Sequence, residues 1–145
     1  MTATKGLLIE NRFLVIKKIG EGSFGEVFLC QDKTTNKQCV IKSESFSNKH
    51  PLLMSEAFLY KLIQGFGIPK MFSSGTVDSR NFRYMALEVL GPSLDDLFVL
   101  SGNRFSIKTT CMIFFQLIDR MQFLHNLDYV HRDIKPNNFL IGLTD

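Results

Sequence analysis

The chain has 145 residues, 45% of them apolar, which is enough to bury a core and form one ordinary domain. Its 17 Lys and Arg against 14 Asp and Glu give a net charge of +3, and no basic run marks a nucleic-acid or membrane surface. Three cysteines at unrelated spacings, no zinc-ligand spacing, no signal-peptide core and no membrane-length apolar stretch lead us to expect a soluble intracellular protein of cytoplasm or nucleus.

Residues Arg12 to Ile19 alternate loosely and are rich in branched side chains, which predicts a strand. The glycines of Gly20-Glu21-Gly22-Ser23-Phe24-Gly25 permit a tight turn into a second strand, Glu26 to Gln31. A polar turn leads to a third strand, Gln38 to Ser43. Pro51 suits the first turn of a helix and Gly65 its stop, with Leu52, Leu53, Ala57, Leu59, Tyr60 and Ile63 as an apolar stripe between them. Two more strands are predicted near Lys70 to Thr76 and Phe82 to Val89, with a turn at Asp78-Ser79.

After Gly91-Pro92, Ser93-x-x-Asp96 has the form of a capping box opening a short helix to about Leu100. Ser106 can cap a long helix to about Asn126. Ile107, Cys111, Phe114, Phe115, Ile118, Met121 and Leu124 lie on one side of that helix, with further apolar residues elsewhere around it. A helix so apolar belongs inside a larger core. A boundary is expected at Leu90 to Ser93, between a sheet-rich half and a helical half.

Three segments carry chemistry. Gly20-x-Gly22-x-x-Gly25-x-Val27 could lay backbone N–H groups over phosphates; because it joins two strands, it lacks the helix that a dinucleotide fingerprint requires. Lys42 ends Cys39-Val40-Ile41-Lys42 on the next strand, where an ammonium can meet α- and β-phosphates, and Glu56 is the best candidate to hold it. Near the end stands His131-Arg132-Asp133-Ile134-Lys135-Pro136-Asn137-Asn138. There Asp133 can orient or accept the proton of an attacking hydroxyl, Lys135 can meet the γ-phosphate and Asn138 can offer an amide oxygen to Mg²⁺. His131 is read as packing the loop. In this order and spacing the segments resemble the glycine loop, strand lysine and catalytic loop of protein kinases.

Leu90-Gly91-Pro92-Ser93-Leu94-Asp95-Asp96-Leu97-Phe98 resembles the L-G-P-S-L-E-D-L-F signature of the casein kinase 1 family. Gly65-x-Gly67-Ile68-Pro69 and Lys135-Pro136-x-Asn138-Phe139-Leu140-Ile141-Gly142 are similar to that family too. The resemblance implies an α+β, protein-kinase-like fold: a five-stranded antiparallel small lobe with one main helix over residues 12–90, and the first helices and catalytic loop of an incomplete large lobe over 91–145. It implies a monomeric, ATP- and Mg²⁺-dependent Ser/Thr kinase of acidic or already phosphorylated proteins. Ile19 and Val27 would roof the adenine and Leu140 would floor it. The Glu88 carbonyl and Leu90 N–H would bond its edge, Leu87 would stand at the gatekeeper position and Asp96 would meet the ribose. Glu21, Ser23, Phe24, Glu26 and Val40 complete the nucleotide-binding set. The chain departs from the family pattern at Val40 (usually Ala), Leu87 (commonly Met) and Asn137 (usually Asp), none of them a catalytic group.

No Asp-Phe-Gly follows the loop within these residues. Kinases hold Mg²⁺ with that Asp, so the isolated polypeptide is expected to show little phosphoryl transfer and poor stability. The alternative to an enzyme is a truncated nucleotide-binding or protein-interaction module.

Overall fold

The computed structural model describes residues 4–22 and 25–143. The chain divides into two units, one running to Gln64 and resuming over Ile68–Val89, the other made of Gly65–Gly67 and the residues from Leu90 onward.

The first unit is a six-stranded antiparallel sheet with one helix. Its strands are β1 (Leu8–Ile9), β2 (Phe13–Gly22), β3 (Gly25–Asp32), β4 (Gln38–Ser45), β5 (Met71–Val77) and β6 (Phe82–Leu87), and its helix is α1 (Leu53–Leu62). The sheet order is β1-β2-β3-β4-β6-β5. The five-stranded expectation is corrected by β1, which pairs Leu8 with Leu14 and Ile9 with Phe13. A two-residue strand is too short to show alternation, so Leu7-Leu8-Ile9 read only as a short apolar run.

Strand alternation builds two cores on one sheet. Phe28, Cys30, Cys39, Ile41, Phe82, Tyr84 and Ala86 point to one face, where they pack with Ile9, Phe13 and Val15. Burying each large side chain of that cluster stabilises the fold by about 1.5–3 kcal/mol. Met85 and Leu87 point to the other face and meet Leu53 and Ala57 of α1. The hairpin sets Cys30 opposite Cys39, a pairing that their sequence spacing does not suggest. Both are free, and burial pushes the thiols up to about 12 and about 11, so they behave as small core hydrophobes.

The helix α1 starts later than Pro51 suggests: Leu52 is its N-cap and has no side-chain bond of its own. Leu52 is exposed, so the buried stripe is Leu53, Ala57 and Ile63, flanked by half-buried Leu59 and Tyr60. The expected turn at Asp78-Ser79 is a short 3₁₀ turn over Asp78–Arg80, closed by Asn81 at φ 56°.

The second unit contains α2 (Leu94–Leu100) and α3 (Ile107–His125). The capping box expected at α2 forms: the Asp96 N–H donates to Ser93 Oγ at 3.1 Å, and the Ser93 N–H donates to Asp96 Oδ2 at 2.9 Å. Ser106 caps α3 by accepting from the Thr109 N–H at 3.1 Å. Of the expected α3 stripe only the C-terminal part, Met121 and Leu124, is packed. Leu124 is its one buried residue, with Ile113, Leu117, Met121 and Phe123 half-buried, while Ile107 is 85% exposed and Phe115 68%. Apolarity nearly all round removes the contrast that would reveal the inner face. Leu94, Phe98, Phe105, Ile113, Phe114 and Ile134 wall an apolar groove of about 490 Å³ within this unit.

An ion pair between the residue preceding β2 and the end of β3 ties the flank of the sheet. Arg12 Nε and Nη2 donate to the two carboxylate oxygens of buried Asp32 at 3.0 and 2.8 Å. That guanidinium holds the Asp32 carboxyl well below the usual carboxylate range. Because the folded value lies below the unfolded one, the stabilisation is present above pH ~4 and is lost as pH falls further. We therefore expect Asp32→Asn to lower stability at pH 7 by about 2 kcal/mol, measured by urea unfolding, and to shrink the difference between pH 7 and pH 3.

Candidate active site

Strands β2 and β3 form the glycine-rich hairpin, pairing Gly20 with Val27, Glu21 with Glu26 and Gly22 with Gly25. Ser23 and Phe24, expected over the phosphates, lie outside the described residues. Gly25 is required by two constraints. Its φ is +149°, and a Cβ there would stand 1.9 Å from the Ser43 carbonyl oxygen on β4. Glu21 and Glu26 both accept from Lys18 Nζ at 2.7 Å, which braces the hairpin from its two strands. Ile19 is 49% exposed near the end of β2.

The register β3–β4–β6 sets Lys42 between Val27 and Met85, and Val40 opposite Leu87. Lys42 leaves β4 toward α1, where its Nζ stands 2.6 Å from Glu56 Oε1. Glu56 reaches that position because Ala57 and Leu53 seat the helix on Met85 and Leu87. Gatekeeper candidate Leu87 thus belongs to the layer that fixes the pair. Glu88, next in the chain, is bound to Lys70 twice: its N–H donates to the Lys70 carbonyl at 2.9 Å, and its Oε1 accepts from the Lys70 N–H at 2.8 Å.

In the second unit the loop at 131–138 is organised around Asp133. Arg132 takes a left-handed conformation at φ 65°. The next N–H, from Asp133, donates to His131 Nδ1 at 3.2 Å, and the His131 ring stacks on Phe139 with 5.7 Å between centroids. Lys135 Nζ lies 2.9 Å from Asp133 Oδ2, and Asn138 Nδ2 donates to the same oxygen at 2.8 Å. These two donors, Lys135 first, hold the Asp133 carboxyl below its ordinary range. His131 therefore packs the loop, as its sequence position suggests.

Backbone pairing fixes where this loop ends. Leu140 bridges to Ser93, the Leu94 N–H donates to the Phe139 carbonyl at 2.8 Å, and the Ile141 N–H donates to the Pro92 carbonyl at 3.0 Å. Leu140 stays 46% exposed. Asp96 Oδ2 is already engaged by the capping box, where it also accepts from Ser93 Oγ at 2.6 Å. Asn137 Nδ2 donates to Asp95 Oδ2 at 2.9 Å. The sequence marks Asn137 as a departure but names no partner for it. Glu44 is a second residue that motif reading passes over; its signal is its place two residues after Lys42 on the same strand face.

The expected residues thus fall into two sets, one per unit. Lys42, Glu56, the hairpin glycines, Val40, Leu87 and Glu88 belong to the first; Leu90, Asp96, Asp133, Lys135, Asn138 and Leu140 belong to the second. Among the described residues, no group of three or more His, Cys, Asp or Glu could hold a metal ion. Asn138 fits a different donor set. Its amide nitrogen is engaged with Asp133, which leaves Oδ1 as the oxygen that would meet a Mg²⁺ ion. Among the described residues no helix is long and apolar enough to cross a membrane.

A family model described as the protein kinase domain matches residues 13–145 of the chain.

Two outcomes test the geometry directly. Gly25→Ala should destabilise the first unit by about 2–3 kcal/mol, seen as a lower unfolding midpoint, since a backbone oxygen must move to admit the methyl. Lys135→Met should raise the Asp133 pKa, followed by carboxyl carbon NMR, because the larger of its two stabilising donors is gone.

Proposed function

The chain belongs to the protein kinase family, and we propose that within it the protein is a Ser/Thr kinase of casein kinase 1 type. The observation that carries the catalytic part is the Asp133 carboxylate, exposed and held by Lys135 and Asn138 within 2.9 Å. The casein kinase 1 assignment draws its support from the Leu90–Phe98 and Lys135–Gly142 segments, and with it comes a preference for acidic or phosphorylated protein substrates.

The reaction moves the γ-phosphoryl group of ATP to a protein hydroxyl. A new bond forms between the Ser or Thr oxygen and the γ-phosphorus, the β–γ bridging bond breaks, and ADP leaves. Asp133 orients the hydroxyl and takes its proton as the oxygen attacks. A carboxylate at neutral pH, it can accept that proton, and its neighbours fix where it points. Lys135 carries the ammonium suited to the γ-phosphoryl oxygens. Lys42, oriented by Glu56, pairs with the α- and β-phosphates. The glycine-rich hairpin covers the phosphates with its backbone, and the Glu88 carbonyl and Leu90 N–H meet the adenine edge. By the family resemblance Ile19, Val27 and Val40 of the first unit are base-lining positions, and in the second unit Leu140 is a base position and Asp96 a ribose position, with one carboxylate oxygen that the capping box does not use. Mg²⁺, when bound through Asn138 Oδ1, neutralises charge on the phosphates. Catalysis of this kind is positioning and electrostatics, which is why each group has a partner that fixes it.

Calorimetric titration with Mg·ATP, paired with phosphate transfer to an acidic protein such as casein, tests the proposal. Wild type should bind, and Lys42→Met should weaken binding about tenfold or more. With no Asp-Phe-Gly within these residues the wild-type transfer is expected to be small, and Asp133→Asn should leave binding near wild type while cutting that residual transfer by about 10²-fold or more. Nucleotide binding without any transfer would instead favour a nucleotide-binding module. No binding at millimolar nucleotide would overturn both readings.

A further inference from the structure

Glu44 is a buried carboxylate that no step above uses, its side chain fully out of solvent. It stands two residues beyond Lys42 on β4, so both side chains leave the strand toward α1. Its Oε1 accepts two hydrogen bonds at 3.0 Å, one from Asn48 Nδ2 and one from the backbone N–H of Leu52. Leu52 is the N-cap residue of α1 and has no side-chain cap. Oε2 lies 3.8 Å from Arg83 Nη1 on β6, and that guanidinium rests 4.7 Å above the Phe46 ring. Burying a carboxylate is costly unless its oxygens find partners, and here the partners include the start of a helix.

We propose that Glu44 is a positioning residue for the Lys42–Glu56 ion pair, clamping the N-cap residue of α1 to β4 so that Glu56 meets Lys42 one turn on. The helix needs such a clamp. It is ten residues long, and within it only Leu53 and Ala57 are buried. Met54, Phe58 and Leu62 are exposed, so the apolar seam is narrow. A short helix on a narrow seam can roll or slide, and its first turn frays without a cap. Two side chains from one face of β4 remove both freedoms. Glu44 fixes where the helix begins, and Lys42 fixes which way Glu56 turns. The second oxygen of Glu44 has no hydrogen-bond partner among the described residues and faces Arg83 on the neighbouring strand only as an ion pair across 3.8 Å.

The consequence for nucleotide binding rests on the function proposed above, whereas the geometric role does not. Two readouts therefore separate them. The first is the rate at which acetic anhydride acylates the Lys42 amine, read by mass spectrometry of the folded chain without nucleotide. Glu44→Ala should raise that rate about fivefold, because a loosened α1 no longer shields the amine. Glu44→Gln, which keeps an oxygen for Leu52, should stay near wild type. Val15→Ala, a core truncation away from α1, supplies a destabilised control and should leave Lys42 protected. Should Glu44→Ala not fold, Glu44→Asp takes its place, since it retains charge beside Arg83 but draws its oxygens back from Leu52.

The second readout is the Kd for Mg·ATP. Glu44→Ala should weaken it about fivefold in the wild-type background and not at all when Glu56 is already Ala. Unchanged Lys42 acylation in Glu44→Ala, or in Glu44→Asp where it takes its place, or an equal rise in Val15→Ala, overturns the positioning role. Failure of wild type to bind nucleotide overturns the function and leaves the acylation result to decide Glu44 alone.

Discussion

Lys42 and Glu56 stand 2.6 Å apart, joining the sheet of the first unit to its helix. Their side chains are 36% and 31% exposed, so the pair contributes at most about 1 kcal/mol to stability. It cannot be what holds the unit together; apolar burial on both faces of the sheet does that. What it fixes is direction. An ammonium on a four-carbon stem has many positions open to it, and a carboxylate seated on a packed helix selects one. That constraint requires β4 to lie between β3 and β6, because only a central strand places Lys42 beside both Val27 and Met85. The opposite face of β4 must then be apolar, which Cys39 and Ile41 supply.

The second unit solves a similar problem with backbone. Asp133 lies on an irregular segment that no helix or strand holds in place. Its position follows from the left-handed turn at Arg132, the stacking of His131 on Phe139, and the pairing of residues 139–141 with residues 91–94. Asn137 adds a side-chain tie to Asp95 at the start of α2. An Asp at 137 would set two carboxylates against each other there, so the amide and Asp95 are matched. Residues 91–94 thus support the end of the loop at residues 139–141 through backbone pairing.

Much of this was legible in the sequence. Five of the strands, all three helices and both helix-capping serines follow from alternation, spacing and cap chemistry, because those signals are local. The ion pair of Lys42 with Glu56 was legible as well, since a strand lysine in that motif calls for a carboxylate. Other features were hidden for physical reasons. β1 is too short to show a period. The start of α1 is set by Glu44, a partner eight residues away from Leu52, so Pro51 misled. The inner side of α3 cannot be chosen from a helix apolar nearly all round. The opposition of Cys30 and Cys39 depends on hairpin register, which spacing alone does not reveal.

The central claim is that the Lys42–Glu56 pair acts as one unit on nucleotide phosphates. The most direct measurement is a double-mutant cycle on Mg·ATP affinity with Lys42→Met, Glu56→Gln and both together. If Glu56 acts by orienting Lys42, the double variant binds no more weakly than Lys42→Met alone, with a coupling energy of about 1 kcal/mol or more. Additive losses, or a Glu56→Gln variant that binds as wild type does, would contradict the account.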